Sequence, residues 1–328
     1  MACPAEGAVP PGRTAQGVRS GEWVTDALLV VMALIWGVNF AVVKFGASAI
    51  APVAFNGARM LVASIVLVAI LALVPGSWPS ARDTTALLFL GLLGNGLYQW
   101  FFVEGIARVR AGSASLVLAA VPAMVAILGW LRGTERVSRR GAAGIVLSMA
   151  GVGLIVYGGQ RTGGGASTLV GAGLVFAAAA CWSLYTVLLK PYTDRVNGLR
   201  LHAITMWSGS ILLGAVALPS IMRTDWASMS ALEWGAIAYS GVGALVIAYV
   251  IWYRGVRHLG PVRTAMYSNI QPAIALLVAW PLLAEVPSVW QVGGAVLILA
   301  GVVLVRRSPA GTERREREAG PIVGEPAR

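Results

Sequence analysis

The sequence predicts an all-α integral membrane protein with ten transmembrane helices, arranged as two inverted repeats of five helices each. Three observations lead to this prediction. First, the 328 residues are 57% apolar and 12% charged, against about 25% charged residues in soluble domains. Second, long charge-free windows recur along the chain, and third, the sequence matches itself at an offset of 150 residues. These observations exclude a water-soluble globule and a disordered chain.

Each charge-free window is expected to form one membrane-spanning helix, because about 20 residues of helix cover the ~30 Å hydrocarbon core. None of them shows the sustained alternation of a β-barrel strand. The second helix is expected to begin near Ile50, since Arg59 is a single charge in an otherwise apolar stretch. The first is expected to be a retained helix rather than a cleaved signal, since the repeat requires it. The windows run 27–43, 60–81, 84–103, 111–131, 141–160, 162–189, 201–222, 234–253, 264–284 and 286–305.

The distribution of Lys and Arg predicts the orientation in the membrane. If the N-terminus is cytoplasmic, 19 of these residues lie on the cytoplasmic side and five lie outside, as the positive-inside rule requires. The net charge of +11 is therefore a signal of topology, and no basic stripe with interleaved aromatic residues indicates nucleic acid as a partner. The predicted parts are a cytoplasmic tail (1–23), a first repeat (24–160), a second repeat (168–305) and a second cytoplasmic tail (306–328).

An internal repeat supports the two-part organisation. Residues 105–154 match the residues 150 positions later without a gap and with thirteen identities, and nearer the start Trp36 matches Trp182 and Lys44 matches Lys190 at an offset of 146. Because each repeat has an odd number of helices, the second enters the membrane with the opposite orientation. Inverted repeats are typical of secondary transporters that work by alternating access, with a binding site near the midplane. Some channels share this organisation, so a passive channel remains an alternative.

Polar and aromatic side chains within the spans are the candidate binding residues. Polar groups in hydrocarbon are costly, so they face a cavity or a neighbouring helix. Amides suit ammonium and carboxylate groups, and aromatic faces attract cations. The alternatives are an interfacial aromatic belt and hydrogen bonds between helices. The predicted substrate-binding residues are Asn39, Tyr98, Gln99, Trp182, Tyr185, Tyr249, Trp252, Tyr267, Asn269 and Gln271.

Arg59 and two prolines are candidates for other roles. Arg59 is the deepest charge, and it either contacts a substrate carboxylate, holds helix C-terminal carbonyls or extends to the interface. Pro122 and Pro272 occupy the same repeat position in the fourth and ninth windows. Proline removes a backbone hydrogen bond and loosens a helix, so each is a hinge candidate; a static kink is the alternative.

The remaining charged residues predict structural roles. Glu104 is expected to pair with Arg108 one helical turn later, and Lys44 to anchor the end of its helix. Glu135 and Glu285 precede helices, where a carboxylate is favourable at the N-terminus. No acidic residue lies at mid-depth, so facilitated diffusion or exchange is expected rather than proton coupling.

No cofactor, metal or catalytic centre is expected. The two cysteines cannot supply a four-ligand metal site. Gly163–Gly165 are not followed by the Lys-Ser/Thr pair of a phosphate-binding loop. The two histidines form no HExxH motif, and no span holds two aspartates. An intramembrane enzyme is therefore not expected.

Several segments of the sequence resemble the EamA family of the drug/metabolite transporter superfamily. The resemblance rests on Trp36–Lys44 of the first helix, Pro52–Arg59 of the second, the paired Pro122 and Pro272, and Glu135 and Glu285 before Ser138 and Ser288. It implies ten helices in two EamA repeats, in the bacterial cytoplasmic membrane. It also implies export of small metabolites, with amino acids as the leading class and drugs, nucleosides or sugars as alternatives. The expected partners are a small-molecule substrate and membrane lipid, and a monomer is expected.

Overall fold

The structure, a computed structural model, describes residues 15–132, 139–161 and 165–306. This part of the chain contains only helices and their connections. Eight of its helices are long and apolar enough to cross a membrane, and two shorter apolar helices follow, so the protein is a multi-pass membrane protein. The helices are α1 (Ala15–Ala49), α2 (Pro52–Leu73), α3 (Ala81–Arg108), α4 (Ala111–Leu131), α5 (Arg139–Gly159), α6 (Gly165–Thr193), α7 (Gly198–Arg223), α8 (Ala231–Leu259), α9 (Ser268–Leu283) and α10 (Val289–Arg306).

Several helix ends differ from the predicted windows for local reasons. α2 begins at Pro52, where proline's missing N–H costs nothing, and it ends at Leu73, well before residue 81, because Pro75 and Gly76 follow. α1 begins at Ala15, inside the predicted tail. The tails 1–14 and 307–328 and the loop with Glu135 and Ser138 lie outside the described residues.

The boundary between α8 and α9 is set by a bend. Helical backbone continues from Ala248 to Tyr267, yet a Cβ on Gly255 would lie 2.9 Å from Cγ2 of Thr264. Nine residues of straight helix would separate these positions by about 13 Å. The chain therefore turns sharply between them, and the second apolar segment starts at Ser268.

Both predicted hinge prolines lie directly after a break in their helix. Helical geometry in α4 is interrupted at Ala119 and Ala120, and Pro122 stands in the first turn of the segment Val121–Leu131. In α9 a 3-10 turn at Ser268–Ile270 precedes Pro272, which again stands in a first turn. Pro122 and Pro272, which occupy equivalent positions in the internal repeat, therefore have the same local structure.

α3 and α8 each contain a π-helical segment. The segments are Leu92–Leu97 and Tyr239–Ile247, and residues 92–97 correspond to residues 242–247 at the repeat offset. Such bulges are frequent at functional sites. Glycines in or directly before the first segment permit close approach: a Cβ on Gly94 would lie 2.4 Å from the Tyr185 ring, and one on Gly91 would lie 2.3 Å from the Thr205 carbonyl oxygen.

α5 and α10 pack against each other through glycines. A Cβ on Gly151 would lie 2.7 Å from the carbonyl oxygen of Gly294, and one on Gly301 would lie 2.4 Å from that of Gly144. Ser148 donates a hydrogen bond to the Ile298 carbonyl (3.4 Å). The other eight helices form a bundle in which α2 packs on α7, α6 on α3, and α1 on α8 and α9.

Charged residues stabilise helix ends, partly as predicted. Arg108 pairs with Glu104 (2.5 Å), and Lys44 donates to the Ile106 and Ala107 carbonyls at the end of α3 (3.1 and 2.9 Å). The Glu104–Arg108 pair is confirmed, whereas Lys44 binds the end of α3 rather than the end of its own helix.

The expectation for Glu285 is corrected. Its carboxylate accepts from the backbone N–H groups of Ala111 and Gly112 (3.2 and 3.5 Å), at the start of α4 rather than of α10. The start of α10 is held by Ser288 and Gln291 instead, because their own side chains reach its free N–H groups.

Candidate functional site

A fully buried arginine lies where α2, α3 and α8 meet. Arg59 is 0% exposed. Its guanidinium donates to Asn56 Oδ1 (3.0 Å), to Ser240 Oγ (2.9 Å) and to Gln99 Oε1 (2.5 Å). The side chain therefore neither extends to the interface nor holds helix C-terminal carbonyls. It binds side chains from three helices instead.

The network around Arg59 continues towards α8. The amide of Asn56 donates to the Gln99 carbonyl (2.9 Å), and Gln99 Nε2 donates to the Tyr249 hydroxyl (3.4 Å). Gln99 and Tyr249 are 150 residues apart, so the repeat brings equivalent positions into contact. Arg59 also lies 5.9 Å from the centre of the Phe102 ring. We call Asn56, Arg59, Gln99, Ser240 and Tyr249 the Arg59 network.

No carboxylate balances the charge of Arg59 in the described part of the chain. The ion pairs there join Glu104 to Arg108, Glu285 to Arg110 and Asp83 to Arg195. A guanidinium has five N–H donors, and Arg59 uses three of them. A buried unpaired charge is costly, so the network is suited to an anionic group that supplies the missing negative charge.

An aromatic cluster adjoins the network. Trp182 of α6 is its centre, with ring centroids 5.1 to 6.4 Å from five neighbours. The Trp36 indole N–H donates to the Ala244 carbonyl in the π segment of α8 (3.0 Å), which fixes one side of the cluster. Tyr249 belongs to both groups, since its hydroxyl accepts from Gln99 and its ring contacts Trp36 and Trp182. The cluster consists of Trp36, Tyr98, Trp182, Tyr185, Tyr249, Trp252 and Tyr253.

His202 of α7 packs on the same tyrosines. It is 0% exposed, and its ring is stacked on Tyr249, with centroids 4.8 Å apart and planes 15° apart. Tyr253 lies 5.5 Å away and shares a 2.7 Å hydrogen bond with the hydroxyl of Tyr185. The imidazole Nε2 lies 2.8 Å from the Leu245 carbonyl oxygen, while Nδ1 is buried with no partner among the described residues.

The structure brings most of the predicted residues together, but not all. Tyr98, Gln99, Trp182, Tyr185, Tyr249 and Trp252 lie in the network or the cluster. Asn39 is buried, and its Oδ1 has no partner among the described residues. Tyr267 donates to Asp26 (2.7 Å). The half-buried side chains of Asn269 and Gln271 form no hydrogen bond with described residues.

Four polar residues at the centre were not among the predicted candidates. Asn56, Asn95, His202 and Ser240 are each at most 1% exposed. The sequence carries a signal for Asn56, which stands one helical turn before Arg59. Ser240 is separated from Arg59 by 181 residues, and no local pattern indicates that contact.

The two ends of the bundle differ. At one end Arg195 pairs with Asp83 (2.7 Å), and the buried Arg200 donates to the Val74 carbonyl (3.1 Å). Glu233 lies 150 residues after Asp83, and it lines a cavity of about 530 Å³ between the α1–α2 and α7–α8 connections. The other lining residues are Ala49, Ile50, Ala51, Ser220, Arg223, Thr224, Asp225, Ser228 and Met229.

Comparison with known proteins agrees with this architecture. A model of the EamA-like transporter family matches residues 23–157 and again 169–307. The "Probable terminal-alkyne amino-acid exporter" of Streptantibioticus cattleyicolor is 28% identical over 292 residues, covering 89% of this chain and 96% of that protein. The "Probable amino-acid metabolite efflux pump" of Salmonella typhimurium is 29% identical over 286 residues, covering 85% and 92%. A solved crystal structure shares the fold, with a TM-score of 0.60 at 20% identity, and covers 89% of this chain and 97% of that one.

The family match extends over most of the chain and recurs in its second half, at the spacing of the internal repeat. The relatives are transporters by name and align over nearly their whole length. The apolar helices and the uncompensated buried charge agree with this assignment. The chain belongs to the EamA-like transporter family and is a membrane transporter, not an enzyme.

Proposed function

We propose that the protein is a secondary transporter that exports amino acids across the bacterial cytoplasmic membrane, by alternating access around the Arg59 network and the aromatic cluster. One observation carries the proposal: Arg59 is 0% exposed, lies at a junction of three helices, and has no carboxylate partner among the described residues. A charge buried at this cost in a membrane protein marks a functional site. The names of two relatives as amino-acid exporters or efflux pumps support the substrate class.

The chemistry of the site fits a zwitterion. The two N–H groups of Arg59 that have no partner among the described residues can donate to a carboxylate, as arginine does in bidentate pairs. The faces of Trp182, Tyr249 and Trp252 attract an ammonium group and accept an apolar side chain. A cationic drug would be repelled by Arg59, and a nucleoside or sugar would leave its charge unbalanced.

Alternating access requires two parts that move against each other. We propose that α1–α5 and α6–α10 form inverted five-helix repeats, consistent with the two family matches, and that Pro122 and Pro272 are their hinges. The Asp83–Arg195 pair would close the cytoplasmic end, while the cavity beside Glu233 opens outward.

Orientation is testable with single cysteines in a background that lacks Cys3 and Cys181. Ser77 and Ser228 are both exposed, in the α2–α3 and α7–α8 connections. With both termini cytoplasmic, Ser228→Cys reacts with an impermeant thiol reagent in intact cells, and Ser77→Cys reacts only after permeabilisation. The reverse labelling pattern would invert the proposed orientation.

Transport is tested in proteoliposomes loaded with unlabelled amino acids. Labelled phenylalanine outside should enter by saturable uptake that internal phenylalanine stimulates, because a carrier returns faster when loaded. Phenethylamine lacks the carboxylate and phenylpropionate lacks the ammonium, so neither should stimulate as phenylalanine does.

The other functions give different results. A passive channel shows neither saturation nor stimulation from the opposite side. Stimulation by adenosine, a sugar or a quaternary dye, with none by any amino acid, would replace the proposed substrate class. Arg59→Gln should impair this exchange, and Arg257→Gln, at an exposed arginine outside the network, is its control for the loss of one positive charge.

A further inference from the structure

His202 has a buried nitrogen that is available to a proton. Nε2 lies 2.8 Å from the Leu245 carbonyl oxygen, and because a carbonyl only accepts, Nε2 carries the hydrogen. In a neutral imidazole the other nitrogen is then an acceptor. Nδ1 is that acceptor, and it is buried without a partner among the described residues.

The titratable groups near His202 contact its ring directly or are linked to it through hydrogen bonds. Tyr249 and Tyr253 of α8 contact its ring, and Tyr185 of α6 hydrogen-bonds to Tyr253 (2.7 Å). Arg200 stands two residues earlier on α7. Arg59 of α2 is connected through Gln99 and the Tyr249 hydroxyl. No carboxylate of the described residues takes part in these contacts.

We propose that His202 is the proton-binding site of the transporter and that it couples export of the solute to entry of a proton. The proposal rests on the proposed function, since it concerns a solute with an ammonium group. An ammonium group is stabilised by aromatic faces and by a hydrogen-bond acceptor. The neutral His202 provides Nδ1 as an acceptor beside the aromatic cluster. A proton on Nδ1 turns the acceptor into a donor and adds a positive charge, so proton and ammonium exclude each other.

Mutual exclusion at one site produces antiport. When the site faces outside, an N–H bond forms at Nδ1 with a proton from water, and the solute leaves. When it faces the cytoplasm, the incoming ammonium group displaces the proton to water. One proton enters for each zwitterion exported, with no oxidation or reduction, and one positive charge moves inward. The absence of a mid-depth carboxylate favoured uncoupled diffusion, but histidine is a second kind of proton carrier.

The coupling is tested in acid-inside proteoliposomes that contain pyranine. Wild-type protein should accumulate labelled phenylalanine several-fold above equilibrium while the interior becomes alkaline, and a protonophore should abolish the accumulation. In exchange with the same pH on both sides of the membrane, the half-saturation concentration for phenylalanine should rise as the pH is lowered. The rise should reach up to tenfold per pH unit once His202 is protonated.

The diagnostic variant is His202→Gln, whose amide can still donate to the Leu245 carbonyl. It should exchange phenylalanine at saturating concentration, with a raised half-saturation concentration that no longer depends on pH, and it should neither accumulate solute nor alkalinise the interior. His202→Asn is the second variant, since Asn56 stands at the equivalent repeat position. His258→Gln, at the other histidine, which is exposed, should behave as wild type throughout.

Other outcomes overturn the coupling. If the wild-type protein exchanges phenylalanine without any proton flux, the proposed transport function stands and the proposed proton antiport is wrong. Proton-driven accumulation by the Gln or Asn variant moves the proton site elsewhere. Equal loss of exchange and accumulation, with the pH profile unchanged, makes His202 a packing residue. If no amino acid is exchanged, the proposed function fails, and the coupling fails with it.

Discussion

The crossing of α5 with α10 and the central Arg59 network are both built from residues at equivalent repeat positions, but with opposite outcomes. At the closest backbone contacts of the crossing the equivalent residues are identical, because Gly144 corresponds to Gly294 and Gly151 to Gly301. Gly151 lies against Gly294, and Gly301 lies against Gly144. In the network they differ, since Gln99 hydrogen-bonds to its equivalent Tyr249. These closest backbone contacts leave no room for a Cβ atom, so both repeats have glycine there.

At the centre of the protein, equivalent positions of the two repeats carry different residues. Asn56 and Arg59 in the first repeat correspond to His202 and Thr205 in the second, at an offset of 146. The zwitterion that we propose as the substrate has two unlike ends, and a site made of identical halves would serve only one of them. The first repeat therefore supplies guanidinium and amides, and the second supplies imidazole and most of the aromatic rings.

The largest effect is expected at Arg59, where the two repeats differ most. Arg59→Gln should lower the transport efficiency for phenylalanine about 100-fold or more, because loss of a buried charged partner costs roughly 3 kcal/mol. The equivalent substitution Thr205→Val should change it less than about tenfold, since the Tyr185–Thr205 hydrogen bond is long (3.5 Å). Uptake normalised to protein in the vesicles measures both. Equal losses would show that the repeats contribute alike.

The second-largest effect is expected at the crossing of α5 with α10. Gly151→Ala should destabilise the protein by about 1 to 3 kcal/mol, because its Cβ would meet the Gly294 carbonyl and neither backbone can shift freely. Gly153→Ala is the matched control on the same helix, with nothing within 4 Å of the added Cβ. Thermal stability in detergent, followed by size-exclusion chromatography, compares the two. Equal midpoints would remove the requirement for glycine at the crossing.

A smaller effect is expected at the centre of the aromatic cluster. Trp182→Ala removes ring contacts of about 0.5 to 1.5 kcal/mol each. It should lower the preference for phenylalanine over alanine about tenfold while exchange of alanine continues. Trp100→Ala, at a tryptophan that is 38% exposed, is the control. An unchanged preference would assign the cluster to packing alone.

The smallest effect is expected where the repeats touch. Tyr249→Phe keeps the ring and removes a hydroxyl that accepts one long hydrogen bond from Gln99 (3.4 Å), so affinity should change less than about fivefold, or 1 kcal/mol. Gln99→Leu should cost more, because Gln99 Oε1 also accepts from Arg59. Half-saturation concentrations for phenylalanine rank the two variants. If Tyr249→Phe lost more affinity for phenylalanine than Gln99→Leu, the main polar contact with the solute would come from Tyr249 of the second repeat.

Sequence patterns predicted most of the secondary structure, and the reasons are local. Charge-free length marks a span, Pro75 and Gly76 end α2, and Pro122 and Pro272 start new segments wherever they stand. Amides and aromatic residues inside spans were expected to face a cavity or a neighbouring helix. Seven of the residues predicted to contact substrate, counting Arg59, meet at the centre.

Tertiary structure decided which side chains meet. Ser240 binds Arg59 across 181 residues, and Glu285 caps a helix of the other repeat. In a soluble helix the apolar stripe reveals the buried face. In a membrane, lipid and protein interior are both apolar, so hydrophobicity marks the length of a helix but not its rotation. Rotation and approach depend on interhelical packing, such as Gly91 and Gly94 against Thr205 and Tyr185, and that packing exists only once the helices have assembled.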